Sequence, residues 1–497
     1  MLLAPRAIRS RGLQGALRFA IALGMVAIAT LASLRVLDEP SLAVAAIIPV
    51  LAVMGVGAFV LPVHVLPTVA LAILAFVPTR FVPNDGPFTA LPALALLLGV
   101  WVFRRVILGQ GEEAGVHRVA LGPRLAVYTT GLLFMLWISF SAVMTRSDTS
   151  IGWVTAFAAS VLLPLVVWDA RREVALLRKT LFVAGAIVGA YALVEMVLES
   201  SPVWDAVYGA LGMGREFGFS VYRARAGFSH TLFLGAFLVI PAALALASWL
   251  RTGRGWYLVA GLLSAGGVVA TVSRGSIAAL GVAAALAAVL VPAFGGVTLR
   301  RWLAYVGLSV VGAVVVLFFS PLAARTQSIE SDLSGEVRER AISVAIRAAD
   351  YSGWMGTGPA TSGATSRLFD TIIIENSLLQ LLISVGIPGL VMFLAFIAAL
   401  LWHAGANRDP AVILAIVAYI VAITAFNSID AVRNMHILIG FLALLALHSG
   451  QSDIPRSRTS DGTIGESVPP STAHTLMERM RRERPPATPS DMARSVV

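Results

Sequence analysis

The chain has 497 residues, of which 58% are hydrophobic and only 13% charged, with no cysteine, a formal net charge of +10 and a mean hydropathy of +0.85. A soluble domain carries about 25% charged residues, so this composition cannot cover a water-facing surface and calls for lipid as solvent. The lack of cysteine rules out disulfides, thiolate catalysis and cysteine metal sites.

A bilayer core of about 30 Å takes about 20 apolar residues per helix. By that measure the apolar runs lie near 19–37, 42–62, 63–79, 87–103, 125–144, 151–168, 175–197, 230–250, 256–272, 275–294, 302–320, 371–402, 410–427 and 434–448. They predict an all-α polytopic membrane protein with about 12–14 transmembrane helices. The third run is short and bounded by Pro62 and Pro78. The first follows Arg6, Arg9, Arg11 and Arg18 and is read as a retained anchor. The chain thus divides into a cytoplasmic segment 1–18, a transmembrane unit 19–448 and a tail 449–497 rich in Ser, Thr, Pro and Arg, expected to be disordered.

Lys179 is the only lysine, so nearly all the positive charge is arginine, and it is placed periodically. Arg104, Arg105, Arg118 and Arg124 share one connection. Arg171, Arg172 and Arg178, then Arg251 and Arg254, then Arg300 and Arg301, mark every second connection after it. Positive loops stay in the cytoplasm, so both termini are expected inside. This pattern speaks for topology rather than nucleic acid binding. Two long connections, about 198–229 and 321–370, then fall outside, and long connections in compact proteins are commonly functional. The second contains a helical segment, Gly335 to Tyr351, with Val337, Ala341, Val344, Ala345 and Ala348 as an apolar stripe and Glu336 and Arg340 as a pair on the wet side. It is expected to lie along the membrane or to pack over the helix ends.

Common enzyme signatures are missing: no P-loop, no His-Glu-x-x-His, no dinucleotide fingerprint. The polar residues of interest gather at outer helix ends. Arg223 and Arg225 precede an apolar run in Tyr222-Arg223-Ala224-Arg225-Ala226-Gly227-Phe228. Ser273-Arg274-Gly275-Ser276 breaks two apolar runs, and Arg274 is the only charged residue from 255 to 299. An arginine there either snorkels to headgroups or holds an anion with its planar fork. Ser276 and the Gly275 backbone are expected to cap the following helix, whose N-terminus also favours an anion. Glu375-Asn376 opens the run 371–402. The carboxylate either steadies a helix dipole or takes a proton from a hydroxyl. Gly386-Ile387-Pro388-Gly389 predicts a kink midway.

From about 220 to 400 these residues resemble the bacterial O-antigen ligase and O-antigen polymerase superfamily. The ordered features are Arg223 to Phe228, Ser273-Arg274-Gly275, a long outer loop with a helix and the turn Gly353-Trp354-Met355-Gly356-Thr357-Gly358-Pro359, then Glu375-Asn376-Ser377-Leu378 and the Gly386 to Gly389 turn. The resemblance implies an inverting glycosyltransferase of the bacterial inner membrane, with neither metal nor nucleotide cofactor. Its partners would be an undecaprenyl-diphosphate-linked oligosaccharide, an acceptor glycan or lipid, and membrane lipids. It implies catalytic roles for Arg274 and Glu375, with Arg223, Arg225, Ser273, Ser276, Arg340 and Asn376 as substrate-binding candidates. Glu375 stands where ligases of this family usually carry histidine, a departure that tilts the reading toward a polymerase over a ligase. A transporter would place ionisable groups at the bilayer midplane, whereas here they crowd the outer rim.

The arginine pattern makes a direct prediction: a reporter fused within 335–360 reads as extracytoplasmic, because Arg300 and Arg301 mark the preceding connection as inside. A cytoplasmic signal inverts the whole arrangement.

Overall fold

The computed structural model describes residues 54–77, 92–110, 121–206, 221–228, 230–318, 321, 329–430 and 432–448. The expected span 19–37, most of 42–62, segment 1–18, Gly212 to Gly214, Ser229 and the tail 449–497 lie outside these. Every element among the described residues is helical. The helices are α1 (Leu66–Phe76), α2 (Pro92–Val102), α3 (Leu121–Thr145), α4 (Asp148–Phe157), α5 (Arg171–Leu198), α6 (Thr231–Thr252), α7 (Gly255–Ala270), α8 (Arg274–Ala293), α9 (Leu299–Leu317), α10 (Ile329–Tyr351), α11 (Ser362–Ser366), α12 (Ser377–Ala406), α13 (Pro410–Ile423) and α14 (His436–His448). Seven helical stretches are long and apolar enough to cross a membrane, and four shorter ones are apolar. This is a polytopic α-helical membrane protein.

Burial sets the order of the layers. Of the apolar window of α6, 89% is buried, against 6% of that of α9, so α6 is central and α9 peripheral. Around α6 pack α5, α7, α8 and α13. Lipid gives helices no hydrophobic drive to associate, so close packing of small residues has to do it. At the α5–α7 contact a Cβ on Gly189 would fall 2.3 Å from the Leu263 carbonyl oxygen, and one on Gly267 would fall 2.6 Å from the Gly189 Cα. Between α6 and α8 a Cβ on Gly235 would meet the Ser276 hydroxyl at 2.3 Å.

The end of the protein that carries the arginine-rich connections is bonded together by them. Arg105 pairs with Glu173 at 3.0 Å and Arg178 with Asp409 at 2.9 Å. Arg301 donates to the Arg251 carbonyl at 2.6 Å, filling an acceptor that the last turn of α6 leaves open. Arg104 donates to the carbonyls of Ala58 and Leu61. Arg124 stacks on Trp168 at 3.7 Å. These arginines therefore close helix ends as well as marking loops.

The predicted kink is in α12, where Gly386 is non-helical (φ 70°, ψ −177°) and Pro388 has no N–H to offer. The break frees carbonyls, and the chain that precedes the helix fills them. Thr357 N donates to Ile383 O at 3.0 Å, Gly358 N to Ser384 O at 2.8 Å, and the Trp137 indole to Val385 O at 2.7 Å. In return Ile387 N donates to Trp354 O at 3.0 Å. The turn at 353–359 is thus plugged into a membrane-spanning helix. No side chain fits between: a Cβ on Gly356 would lie 2.5 Å from Gly386 N, and one on Gly386 would lie 2.4 Å from Trp354 O.

Two boundaries differ from expectation. The helix of the run 371–402 starts only at Ser377, because Asn376 caps it and leaves Asp370 to Glu375 outside the helix. The amphipathic segment extends further toward the N-terminus, as α10. Its stripe of Ala341, Val344, Ala345 and Ala348 packs on Ile374 and Ile383, which sets the helix over the start of α12.

Because both φ values are left-handed and both contacts are with backbone, Gly356→Ala and Gly386→Ala should each cost at least about 1–3 kcal/mol. Gly363→Ala, with open space at its Cβ, should stay within about 0.5 kcal/mol. Thermal unfolding in detergent reads the difference; equal melting of all three variants would refute the plug.

Candidate functional site at the outer helix ends

At the end opposite the arginine-rich connections, four helices begin around one turn, Thr424 to Asp430, which follows α13. Phe426 packs against Phe233 of α6 in a tilted pair, with ring centroids 5.7 Å apart. Ala425 lies so close to the start of α8 that a Cβ on Gly275 would be 2.1 Å from its own. The Ser377 hydroxyl, on the first residue of α12, donates to Phe426 O at 2.6 Å and accepts from Ser428 N at 2.8 Å. His436, which opens α14, is bonded through Nε2 to Ile429 O at 2.7 Å. Each helix N-terminus carries a partial positive charge of about half a unit. Their convergence makes this rim favourable to an anion.

The sequence-predicted residues divide clearly. Ser273 is the N-cap of α8: its hydroxyl accepts from Ser276 N at 3.4 Å. Capping thus falls to Ser273, where the sequence suggested Ser276 and the Gly275 backbone; Ser276 is instead buried against Gly235. Arg274 follows as the first residue of α8, half-buried at the rim. Arg223 is buried, and its Nε donates to Thr271 O at 3.1 Å, just after α7 and three residues before Arg274. Arg223 and Arg274 therefore flank the same break. Arg225 is engaged differently, in an ion pair with Asp205 at 2.6 Å. Asn376 spends its side-chain oxygen on capping, accepting from Leu378 N at 2.9 Å and Leu379 N at 3.1 Å. Glu375 is exposed between two fixed neighbours, Ile374 packed under α10 and Asn376 capping α12. Arg340 is exposed on α10 and pairs with Glu336 at 3.1 Å, the expected i,i+4 contact. The structure gathers Arg223, Ser273, Arg274 and Ser276 at one break. The 424–430 turn joins that break to the start of α12, where Glu375 and Asn376 lie.

Two buried acids that order the site escaped the sequence reading. Glu195, buried near the end of α5, accepts from Arg225 N and Ala226 N, both at 2.9 Å, and from the Ser201 hydroxyl. With Ala224 N bonded to Ala270 O at 3.0 Å, it pins the arginine segment in place. A lone acid inside an apolar run was the available signal. Asp430 accepts from Ala360 N at 2.7 Å, Ser362 N at 3.2 Å, Ser384 Oγ at 2.8 Å and the Ser362 hydroxyl. Burial pushes its carboxyl pKa up, and these donors oppose that rise. The polar run Asn427-Ser428-Ile429-Asp430 between two apolar stretches was its only mark.

His230 is the N-cap of α6, its Nδ1 accepting from Leu232 N at 3.2 Å. That bond fixes the proton of the neutral ring on Nε2. Burial first, and the Arg223 charge second, lower its pKa from 6.5 to about 4.

Residues 259–394 match the family model described as O-Antigen ligase. The match supports the O-antigen ligase and polymerase superfamily and, with the apolar helices, an O-antigen ligase/polymerase-type multi-pass membrane enzyme. It takes in Arg274 and Glu375 and leaves out Arg223 and the 424–430 turn. No curated protein matches the chain.

The His230 shift has a sign. Between pH 6.5 and about 4 the unfolded chain binds a proton that the folded chain refuses, so stability should fall as pH drops through that window. Protonation also removes the lone pair that caps α6. His230→Asn, a good N-cap residue, should flatten this part of the pH–stability curve; an unchanged slope would argue against it.

Proposed function

We propose that this protein is an inverting membrane glycosyltransferase that moves glycan units from undecaprenyl diphosphate to an acceptor hydroxyl during cell-surface polysaccharide assembly, acting as a polymerase at the outer face of the bacterial inner membrane. The observation that carries the reading is Arg274 at the N-terminus of α8, beside Arg223, where four helices begin around one turn. In this mechanism the acceptor oxygen attacks the anomeric carbon as the bond from that carbon to the phosphate oxygen breaks. The diphosphate leaves with the electron pair, and the charge it gains meets preformed cationic donors, which stabilise the transition state more than the ground state. Glu375, exposed at the start of α12, takes the hydroxyl proton. No metal or nucleotide cofactor is needed for these steps.

Arg223 acts with Arg274 on the diphosphate, while Arg225 serves the fold through Asp205 and Glu195. Ser273 and Ser276 build the helix start that presents Arg274. Asn376 orients Glu375 by capping α12. The lipid tail takes the apolar flanks, and the acceptor enters from the aqueous side.

The test is transfer in vitro with purified full-length protein and an undecaprenyl-diphosphate oligosaccharide. A product ladder is expected; a single shifted acceptor band would mark a ligase instead, and no product would refute the enzyme reading. Arg274→Ala should lower turnover at least about 100-fold, the usual loss for one charge-stabilising donor, and Glu375→Gln should abolish it, with insertion and melting intact. Full activity in both variants would remove the mechanism.

A further inference from the structure

The turn that joins the helix starts contains an asparagine, Asn427, that none of the proposed steps uses. Phe426, Ser428, Ile429 and Asp430 are buried, and Asn427 among them is half-exposed. Its immediate neighbours pack against the starts of α6, α8 and α12. Two residues before it, Ala425 presses on Gly275, next to Arg274. One residue before, Phe426 meets Phe233, three residues from His230. One residue after, the Ser428 hydroxyl bonds Ser377 at 3.0 Å, two residues from Glu375.

Asparagine in a turn usually has a local reason, and each is missing here. It can accept from the backbone N–H two residues on, but Ile429 N is directed to the Ser377 hydroxyl. It can tolerate a left-handed backbone, but Asn427 is not among the described residues with positive φ. It can cap a helix, yet α13 has ended and α14 begins only at His436. Among the described residues its carboxamide has no hydrogen-bond partner. Asn376, in contrast, has its oxygen filled by two backbone donors.

We infer that Asn427 is a substrate-contacting residue, whose carboxamide hydrogen-bonds sugar hydroxyls of the lipid-linked glycan between Arg274 and Glu375. This rests on the glycosyltransferase reading above. A carboxamide offers a donor and an acceptor side by side, which suits neighbouring hydroxyls; a diphosphate offers only acceptors and is served by arginine. The position is set by buried neighbours on both sides, so the amide meets the sugar with little freedom to lose, and it selects for sugars with a matching hydroxyl pair.

The experiment compares two ligands on purified full-length protein: undecaprenyl diphosphate bearing the oligosaccharide, and undecaprenyl diphosphate alone. Asn427→Ala should weaken binding of the first about tenfold, the size of one net hydrogen bond, and leave the second and the melting temperature unchanged. Asn427→Asp, isosteric but without the amide donor, carries the same comparison if the alanine variant unfolds. Equal weakening for both ligands, or no weakening for either, overturns the inference. Wild-type protein that binds neither ligand overturns the glycosyltransferase reading itself, which is a different failure.

Discussion

Helix starts crowd one short turn, and electrostatics makes that arrangement useful. The beginnings of α6, α8, α12 and α14 all touch the segment from Ala425 to Ile429. Backbone dipoles there point their positive ends at the same place. Arg223 and Arg274 add full charges on either side of the α7–α8 break. Such an arrangement is prepared for negative charge before any ligand arrives, which is what the proposed departure of a diphosphate requires.

Arginines near lipid are held here by backbone carbonyls, by an aromatic ring and by carboxylates. Glu173 and Asp409 hold Arg105 and Arg178 at the opposite end. Asp205 holds Arg225 close to the site, while Glu195 takes the backbone N–H groups of Arg225 and Ala226. Arg223 is then presented by a segment bonded on both sides. The buried Glu195 therefore works here through the chain it orders, accepting from two backbone N–H groups and one hydroxyl.

The second coupling links loop to span. A proline and a non-helical glycine open α12, and the turn from Trp354 to Gly358 closes the gap with backbone hydrogen bonds. Asp430 fastens the same loop to Ser384 of α12 and to the turn at the helix starts. α10 lies over the start of α12 through Ile374 and Ile383. A motion of the loop 353–370 would thus be felt at Glu375, because the loop, the kinked span and the turn share one set of bonds.

Much of this was legible in the residues. Apolar runs of bilayer length gave the helices, since lipid tolerates no unpaired backbone. Arginine spacing separated the two ends, and the Gly386–Gly389 turn marked the kink. Ser273-Arg274-Gly275 and Glu375-Asn376 marked helix starts, because capping chemistry is local. What sequence could not decide was partnership. Nothing near Arg225 in the chain distinguishes it from Arg223; Asp205 does so across a fold. Asn376 and Asn427 are the same residue type, and only packing makes one a cap and leaves the other half-exposed in a turn. Asp430 finds its donors 46 to 70 residues away. Periodicity depends on neighbours a few residues apart, so the sequence by itself determined the helices and the kink, while the starts of α10 and α12 were set by packing and by the Asn376 cap. Ion pairs and the meeting of helix starts depend on distances set only when all the spans pack together, and those the tertiary structure alone decided.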